Sequence, residues 1–151
     1  MPMNRSFVSF AGLVLARKAP GLALLLLRLL AGGLMLTHGC AKIAGFAQLS
    51  ATFPDPIGWG STASLVMITL VETVCSLLVI LGLFTRLALL PLLFSMWIAA
   101  FCTYSAFALE TSELALLYFG MFVVLLIGGP GRLSLDMLLW RRLERWERRD
   151  R

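Results

Sequence analysis

Long apolar runs alternate along this chain with segments that carry the prolines, many of the glycines and most of the charges. A helix needs about 20 mostly apolar residues to cross the hydrocarbon core of a bilayer. The pattern therefore predicts four spanning helices, at about residues 21–42, 62–84, 87–108 and 112–128. Because the turns after the second and third of them are short, we expect an all-α integral membrane protein, an antiparallel four-helix bundle that forms a single domain.

Two further segments flank the predicted spans. Residues 7–16 form an apolar run that is too short to cross a bilayer, so we predict an N-terminal helix that lies in the membrane interface. The tail, residues 132–151, places leucines and tryptophans among arginines. This pattern predicts a basic amphipathic helix on the membrane surface.

The composition favours a membrane protein over a soluble domain. Hydrophobic residues make up 60% of the chain and charged residues 14%, with a mean hydropathy of +0.91. Soluble domains are nearer half apolar and about 25% charged. A soluble chain of this length would therefore lack the polar residues to cover its own core.

The distribution of basic residues indicates an orientation. Every lysine and arginine except Arg28 and Lys42 falls in segments predicted on one side of the bundle, whereas Lys42 shares the other side with acidic residues. Segments rich in Lys and Arg stay in the cytoplasm. We therefore expect a multi-pass protein of the bacterial inner membrane, with both termini cytoplasmic and a tail that faces anionic lipid rather than nucleic acid.

A stripe of charged and small residues runs along the first predicted span. At about 100° per residue, its members share one narrow face of the helix, with His38 at the edge. They are Arg28, Gly32, Met35, Gly39 and Lys42. Such a stripe must face away from lipid, and its glycines allow a neighbouring helix to approach closely.

A polar stripe on the second predicted span is the expected partner. Thr69, Glu72, Thr73 and Ser76 follow i, i+3, i+4, i+7 spacing. An unpaired arginine or glutamate at this depth costs at least roughly 2.5–3.5 kcal/mol. We therefore predict that Arg28 and Glu72 face each other, either as a clamp that holds the helices in register or as a polar ligand or proton site.

Three more polar residues complete the candidate pocket around Arg28 and Glu72. His38 and Lys42 end the first span, and Glu113 begins the fourth. Each also has a structural explanation: His38 suits the headgroup region, Lys42 can extend to it, and Glu113 interacts favourably with a helix N-terminus.

The cysteines do not indicate a metal centre. Cys40, Cys75 and Cys102 have no C-x-x-C spacing, and the chain contains one histidine, so we expect no metal. Cys40 and Cys102 are predicted near the same membrane face. Whether they pair stays open, and small packing residues within helices are the alternative.

Four stretches of the chain resemble the DoxX family of small bacterial membrane proteins. They are RLLAGGLMLTHGCAK (28–42), ETVCSLLVILGLFTR (72–86), ELALLY (113–118) and GPGRLSLD (129–136). The resemblance implies a four-helix membrane fold and gives weight to Arg86 and Asp136 beside the residues above. Gly131 belongs to a GGPGR segment that is expected to end the fourth span.

The resemblance also implies a function. Relatives include the small subunit of a thiosulfate:quinone oxidoreductase, so we expect a membrane subunit or partner of a thiol, sulfur or quinone-linked redox system. A quinone cofactor and an oxidoreductase partner would follow. Two alternatives stay open, a proton-coupled or small-molecule carrier that acts as a homo-oligomer and a non-catalytic scaffold, and no motif decides whether the chain is an enzyme.

Overall fold

The computed structural model describes residues 20–102 and 109–147. This part of the chain is helical and contains no strand. Its helices are α1 (Pro20–Ala44), α2 (Phe46–Leu49), α3 (Ser61–Leu81), α4 (Thr85–Phe101), α5 (Leu109–Gly128) and α6 (Leu135–Glu147). The interfacial helix predicted for residues 7–16 lies outside the described residues.

Helices α1 and α3 are long and apolar enough to cross a membrane. Helix α4 and the Ser112–Gly128 part of α5 are also apolar but are shorter. Helix α4 packs against α5, and α1 packs against α3 and α5. The buried core between the four long helices is apolar and includes Ala31, Met35, Val79, Leu89, Leu92, Phe122 and Leu125. Many leucine, phenylalanine and valine side chains on the same helices point outward and are exposed.

The end of α3 differs from the prediction, which continued the helix to residue 84. Gly82 has a left-handed backbone (φ +68°), and the amides of Gly82 and Leu83 donate to the carbonyls of Val79 and Leu78, 3.1 and 2.9 Å away. This arrangement is a Schellman motif, which ends a helix at a glycine. The apolar residues on both sides of Gly82 conceal the helix end from a hydropathy pattern.

Helix α6 is tied to the turn between α3 and α4 by Asp136. Its carboxylate accepts hydrogen bonds from the amides of Phe84 (2.7 Å) and Thr85 (3.0 Å) and from the Thr85 hydroxyl (2.9 Å). The Asp136 amide in turn donates to the Gly82 carbonyl at 2.8 Å. Asp136 therefore caps α4 from a distant part of the chain, a role that sequence spacing does not reveal.

A close approach of α1 to α3 depends on two glycines. A Cβ on Gly32 would lie 2.8 Å from Ile80 Cγ1, and a Cβ on Gly39 would lie 2.6 Å from Thr73 Cγ2. Both distances are too short for real atoms. Gly32 and Gly39 therefore bring the charged stripe of α1 directly against the polar stripe of α3.

Candidate functional site

Lys42 and Glu72 form an ion pair between the last turn of α1 and the middle of α3. Lys42 Nζ lies 2.5 Å from Glu72 Oε2. The side chain of Glu72 is 5% exposed and that of Lys42 is 20% exposed. Within the described residues Glu72 Oε1 accepts no hydrogen bond, so half of the carboxylate stays available to another donor.

Glu72 lies in an irregular turn of α3. Residues Val71–Cys75 are π-helical, between α-helical Ser61–Leu70 and Ser76–Leu81. At this point the Thr73 hydroxyl donates to the Thr69 carbonyl at 2.6 Å, and such side-chain bonds compete with the regular ladder. Single π-turns inside α-helices are frequent at functional sites.

A cavity of about 480 Å³ opens beside this ion pair. Its walls come from α3, α4, Lys42 of α1 and the Phe53–Trp59 segment of the connection between α2 and α3, and they are almost entirely apolar. The apolar lining includes Phe53, Ile57, Trp59, Met67, Pro91 and Phe94. Lys42 and Glu72 lie on the wall of the same cavity, with Ser64 and Ser95 as the other polar residues.

Buried hydroxyl groups flank Glu72 on α3. Thr69 Oγ1 and Ser76 Oγ are buried and have no hydrogen-bond partner in the described part of the chain. Buried polar groups without a protein partner are commonly satisfied by water. On the adjoining surface of α5, the ring of buried Tyr118 meets the His38 ring edge-to-face, with centroids 5.7 Å apart.

The predicted Arg28–Glu72 pair is not formed, because each residue has another partner. The Arg28 guanidinium donates to the carbonyl of Pro130 and, at 2.6 Å, to that of Leu133. These carbonyls belong to the turn between α5 and α6, outside both helices. A search of the sequence for charged partners does not find backbone carbonyls as the acceptors of Arg28.

The Lys42–Glu72 pair was missed because Lys42 was expected at the very end of the first span. Helix α1 continues two residues further, to Ala44, so Lys42 lies inside the helix and faces α3. The sequence feature that indicates this pair is that Gly39 and Lys42 share one face of α1. Since Gly39 packs against Glu72 and Thr73, the lysine one turn away reaches the carboxylate.

The remaining predicted site residues lie apart from this pair. Glu113 is exposed on α5, and no contact among the described residues links it to His38 or Lys42. Arg86 is exposed near the start of α4, beside Gly129. Gly131 has a positive φ of +75° in the turn that Arg28 binds. The described residues hold no group of His, Cys, Asp and Glu that suits a metal ion.

The three cysteines are free thiols. Cys40 and Cys102 are both exposed, and Cys75 is half-buried. Cys75 belongs to the π-helical turn, on the flank of Glu72. The structure therefore contains no Cys40–Cys102 disulfide.

These features define a class: an all-helical, largely apolar protein with a charged pair on the wall of an apolar cavity. The family model for DoxX matches residues 23–105. This match covers more than half of the chain, so the chain belongs to the DoxX family, a family of membrane proteins. The matched region contains Arg28, Lys42 and Glu72, whereas Glu113 and Asp136 lie beyond it. Neither the curated proteins nor the solved structures include a significant match.

Proposed function

We propose that this protein is a multi-pass inner-membrane protein that binds an amphipathic, quinone-like molecule in the cavity beside Lys42 and Glu72. In this proposal the chain acts as the membrane subunit or partner of a thiol, sulfur or quinone-linked redox system. A partner oxidoreductase supplies the electrons, since the sequence encodes no cysteine cluster or haem-ligand pair. The observation that carries the proposal is the apolar cavity with a single ion pair on its wall.

The membrane arrangement is supported by the surface of the helices. Large apolar side chains are exposed on α1, α3, α4 and α5, and a continuous apolar exterior is unfavourable in water. We place these four helices across the bilayer as an antiparallel bundle. The positive-inside rule puts both termini and the Arg86 turn in the cytoplasm, and the cavity then opens near the opposite face.

Ligand binding is supported by the chemistry of the cavity wall. Sites for small molecules are mostly apolar, with a few polar groups that fix the orientation of the ligand. A quinone offers a flat apolar ring and tail with carbonyl oxygens at the head. Lys42 Nζ has donors to spare for such an oxygen, and Glu72 Oε1 is free to accept a proton or a hydroxyl hydrogen bond.

The charged pair also suits the proton balance of quinone chemistry. Reduction of a quinone to a quinol takes up two electrons and two protons. The partner would deliver the electrons, while Glu72 and the buried hydroxyl groups beside it would pass protons to the head group. The residues that we assign to this task are Lys42, which orients the head group, and Glu72, which exchanges protons.

The proposal is tested by purifying the protein from native membranes in mild detergent and identifying co-purified lipids and proteins by mass spectrometry. We expect about one quinone per chain, an oxidoreductase partner, and loss of the quinone in Glu72→Gln and Lys42→Met. Glu113→Gln is the matched control, because it makes the same chemical change at an exposed carboxylate away from the cavity.

Two outcomes would contradict the proposal. A wild-type protein that carries only ordinary phospholipid would rule out the quinone site. Quinone retained equally in all three variants would rule out the roles of Lys42 and Glu72. A detergent-stable homo-oligomer without quinone would direct attention to a carrier, and a monomer without ligand to a scaffold.

A further inference from the structure

We infer that Asp55 is a positioning residue of the cavity: it fixes the loop at Phe53–Gly60 as a rigid apolar wall that sets which ligands fit. This inference rests on the proposed ligand site and adds a determinant of its specificity. The loop supplies a large part of the cavity lining, namely Phe53, Pro54, Pro56, Ile57 and Trp59. Neither the family match nor the polar stripes assign a role to Asp55.

The Asp55 carboxylate organises the loop through four hydrogen bonds. Oδ1 accepts from the Gly58 amide (3.0 Å), the Trp59 amide (3.0 Å) and the Ser64 hydroxyl (2.7 Å). Oδ2 accepts from the Gly60 amide at 2.7 Å. Both oxygens are therefore engaged, and the Ser64 bond fastens the loop to the first turn of α3.

The local sequence is suited to this arrangement. Gly58 and Gly60 have φ angles of +79° and +96°, which L side chains rarely adopt and which turn their amides toward the carboxylate. Pro54 and Pro56 flank Asp55 and restrict the backbone on both sides. Because the prolines also reduce the freedom of the unfolded loop, ordering it costs less entropy.

The Gly60 position also explains how α3 begins. Gly60 occupies the N-cap position of α3, and it makes no side-chain cap. The carboxylate of Asp55 instead accepts the Gly60 amide and the Ser64 hydroxyl at this helix end. One residue thus holds the loop and secures the end of the helix that carries Glu72.

The Asp55 carboxylate is charged at neutral pH. The hydrogen bond from the Ser64 hydroxyl, followed by that from the Gly60 amide, lowers the pKa of Asp55 below its usual value. A charged acceptor makes each of these bonds stronger than a neutral one would. The wall that faces the ligand is therefore fixed before the ligand binds, which reduces the entropy cost of binding.

The first measurement is amide hydrogen exchange in the purified full chain without ligand. In Asp55→Ala we expect exchange at the Gly58, Trp59 and Gly60 amides to rise about tenfold or more, since each loses a charged acceptor. Ser64→Ala removes one bond of the four and should give a smaller rise at the same amides. Glu113→Gln is the control that loses a carboxylate elsewhere and should leave them unchanged.

The second measurement is binding of two probes, a tail-less ubiquinone analogue and decylubiquinone, to the same variants. We expect Asp55→Ala to bind both probes about tenfold more weakly and to lose part of the discrimination between them. Ser64→Ala should also weaken the binding of both probes, by a smaller factor. If Asp55→Ala does not accumulate, amide exchange and probe binding are measured on Ser64→Ala instead.

The outcomes separate this inference from the proposed function. Unchanged exchange in Asp55→Ala and Ser64→Ala would overturn the role of Asp55 in the loop. Raised exchange with unchanged binding would overturn its role in the ligand site. If the wild-type chain binds neither probe, the ligand site itself fails, together with this inference about its specificity, whatever the exchange data show about the loop.

Discussion

Helix α1 carries two cations, Arg28 in its first half and Lys42 in its last turn, and their surroundings differ. Arg28 is 1% exposed, and two of its guanidinium nitrogens donate to the carbonyls of Pro130 and Leu133, while its buried Nε has no hydrogen-bond partner among the described residues. Lys42 is partly exposed and meets one oxygen of Glu72 beside an open apolar cavity. Burial alone therefore does not mark a binding site. A buried charge that binds backbone carbonyls away from the cavity holds the fold, whereas a charge pair on the wall of the cavity can serve a ligand.

Replacing Arg28 should have the largest effect on stability. In Arg28→Met, the carbonyls of Pro130 and Leu133 lose a charged donor, each bond being worth roughly 1.5–3 kcal/mol. We expect a large fall in thermal stability in detergent and in abundance in the membrane. Arg132→Met is the control, because Arg132 is an exposed arginine in the same turn.

An Arg28→Met chain as stable as the wild type would contradict the structural role of Arg28. Arg28→Lys sharpens the test. A single ammonium cannot reproduce the two-pronged guanidinium contact, so this variant should also be destabilised. The effect also concerns Gly82, since a Cβ there would collide with the Arg28 guanidinium.

Removal of the Asp136 carboxylate should give the next largest effect. Asp136→Ala leaves the first amides of α4 uncapped, and losing a cap typically costs about 1 kcal/mol, up to 2. We expect a lower midpoint of thermal unfolding and faster amide exchange at Phe84 and Thr85. Glu144→Ala, at an exposed position of α6, should change neither; equal effects of both substitutions would argue against a specific cap.

The faces of the helices could be predicted from the sequence, but their partners could not. Helical periodicity placed Gly32, Gly39 and Lys42 toward α3, because a 100° step per residue is a local property. Which charged side chains pair depends on how deep each residue lies in the bundle and how far its side chain extends, and residue spacing gives neither. A side chain several ångströms long can reach partners on different helical turns. The acceptors of Arg28 are backbone carbonyls, which every residue has, so the sequence does not identify them.

Irregular backbone was the other obstacle to prediction. The π-turn at Glu72 and the Schellman end at Gly82 both lie inside apolar runs whose hydropathy changes little. Likewise the Asp55 loop forms through contacts among residues that a sequence pattern describes only as loop formers. Residues of the π-turn and of the Asp55 loop line the apolar cavity, so composition could predict a membrane protein but not its candidate site.

Separate and joint replacement of Lys42 and Glu72 should distinguish the surroundings of Lys42 from those of Arg28. Lys42→Met leaves a carboxylate in apolar surroundings, but the pair is partly exposed, so we expect less than the roughly 3–5 kcal/mol of a fully buried pair. Glu72→Gln should cost less, because Lys42 can reach polar surroundings. The double variant should be more stable than Lys42→Met, as a double-mutant cycle of thermal unfolding would measure. Additive losses would show that the two side chains are not coupled.

Lowering the pH should loosen the Asp55 loop of the cavity wall. Of the changes considered, we expect this one to have the smallest effect on the stability of the protein. Hydrogen bonds from Ser64 and the loop amides lower the pKa of Asp55 in the folded protein, whereas in the unfolded chain it is about 3.9. The stability that Asp55 contributes is therefore fully present above about pH 4 and is lost as the pH falls through the lower, folded-state pKa. Amide exchange at Gly58 and Gly60, corrected for the intrinsic pH dependence, should rise in that acidic range.

Asp55→Asn isolates this contribution from that of other carboxylates. Its loop should exchange faster than the wild-type loop at pH 7, and the difference between the two proteins should shrink as the pH falls below 4. A constant difference across this range would mean that the charge of Asp55 does not hold the wall.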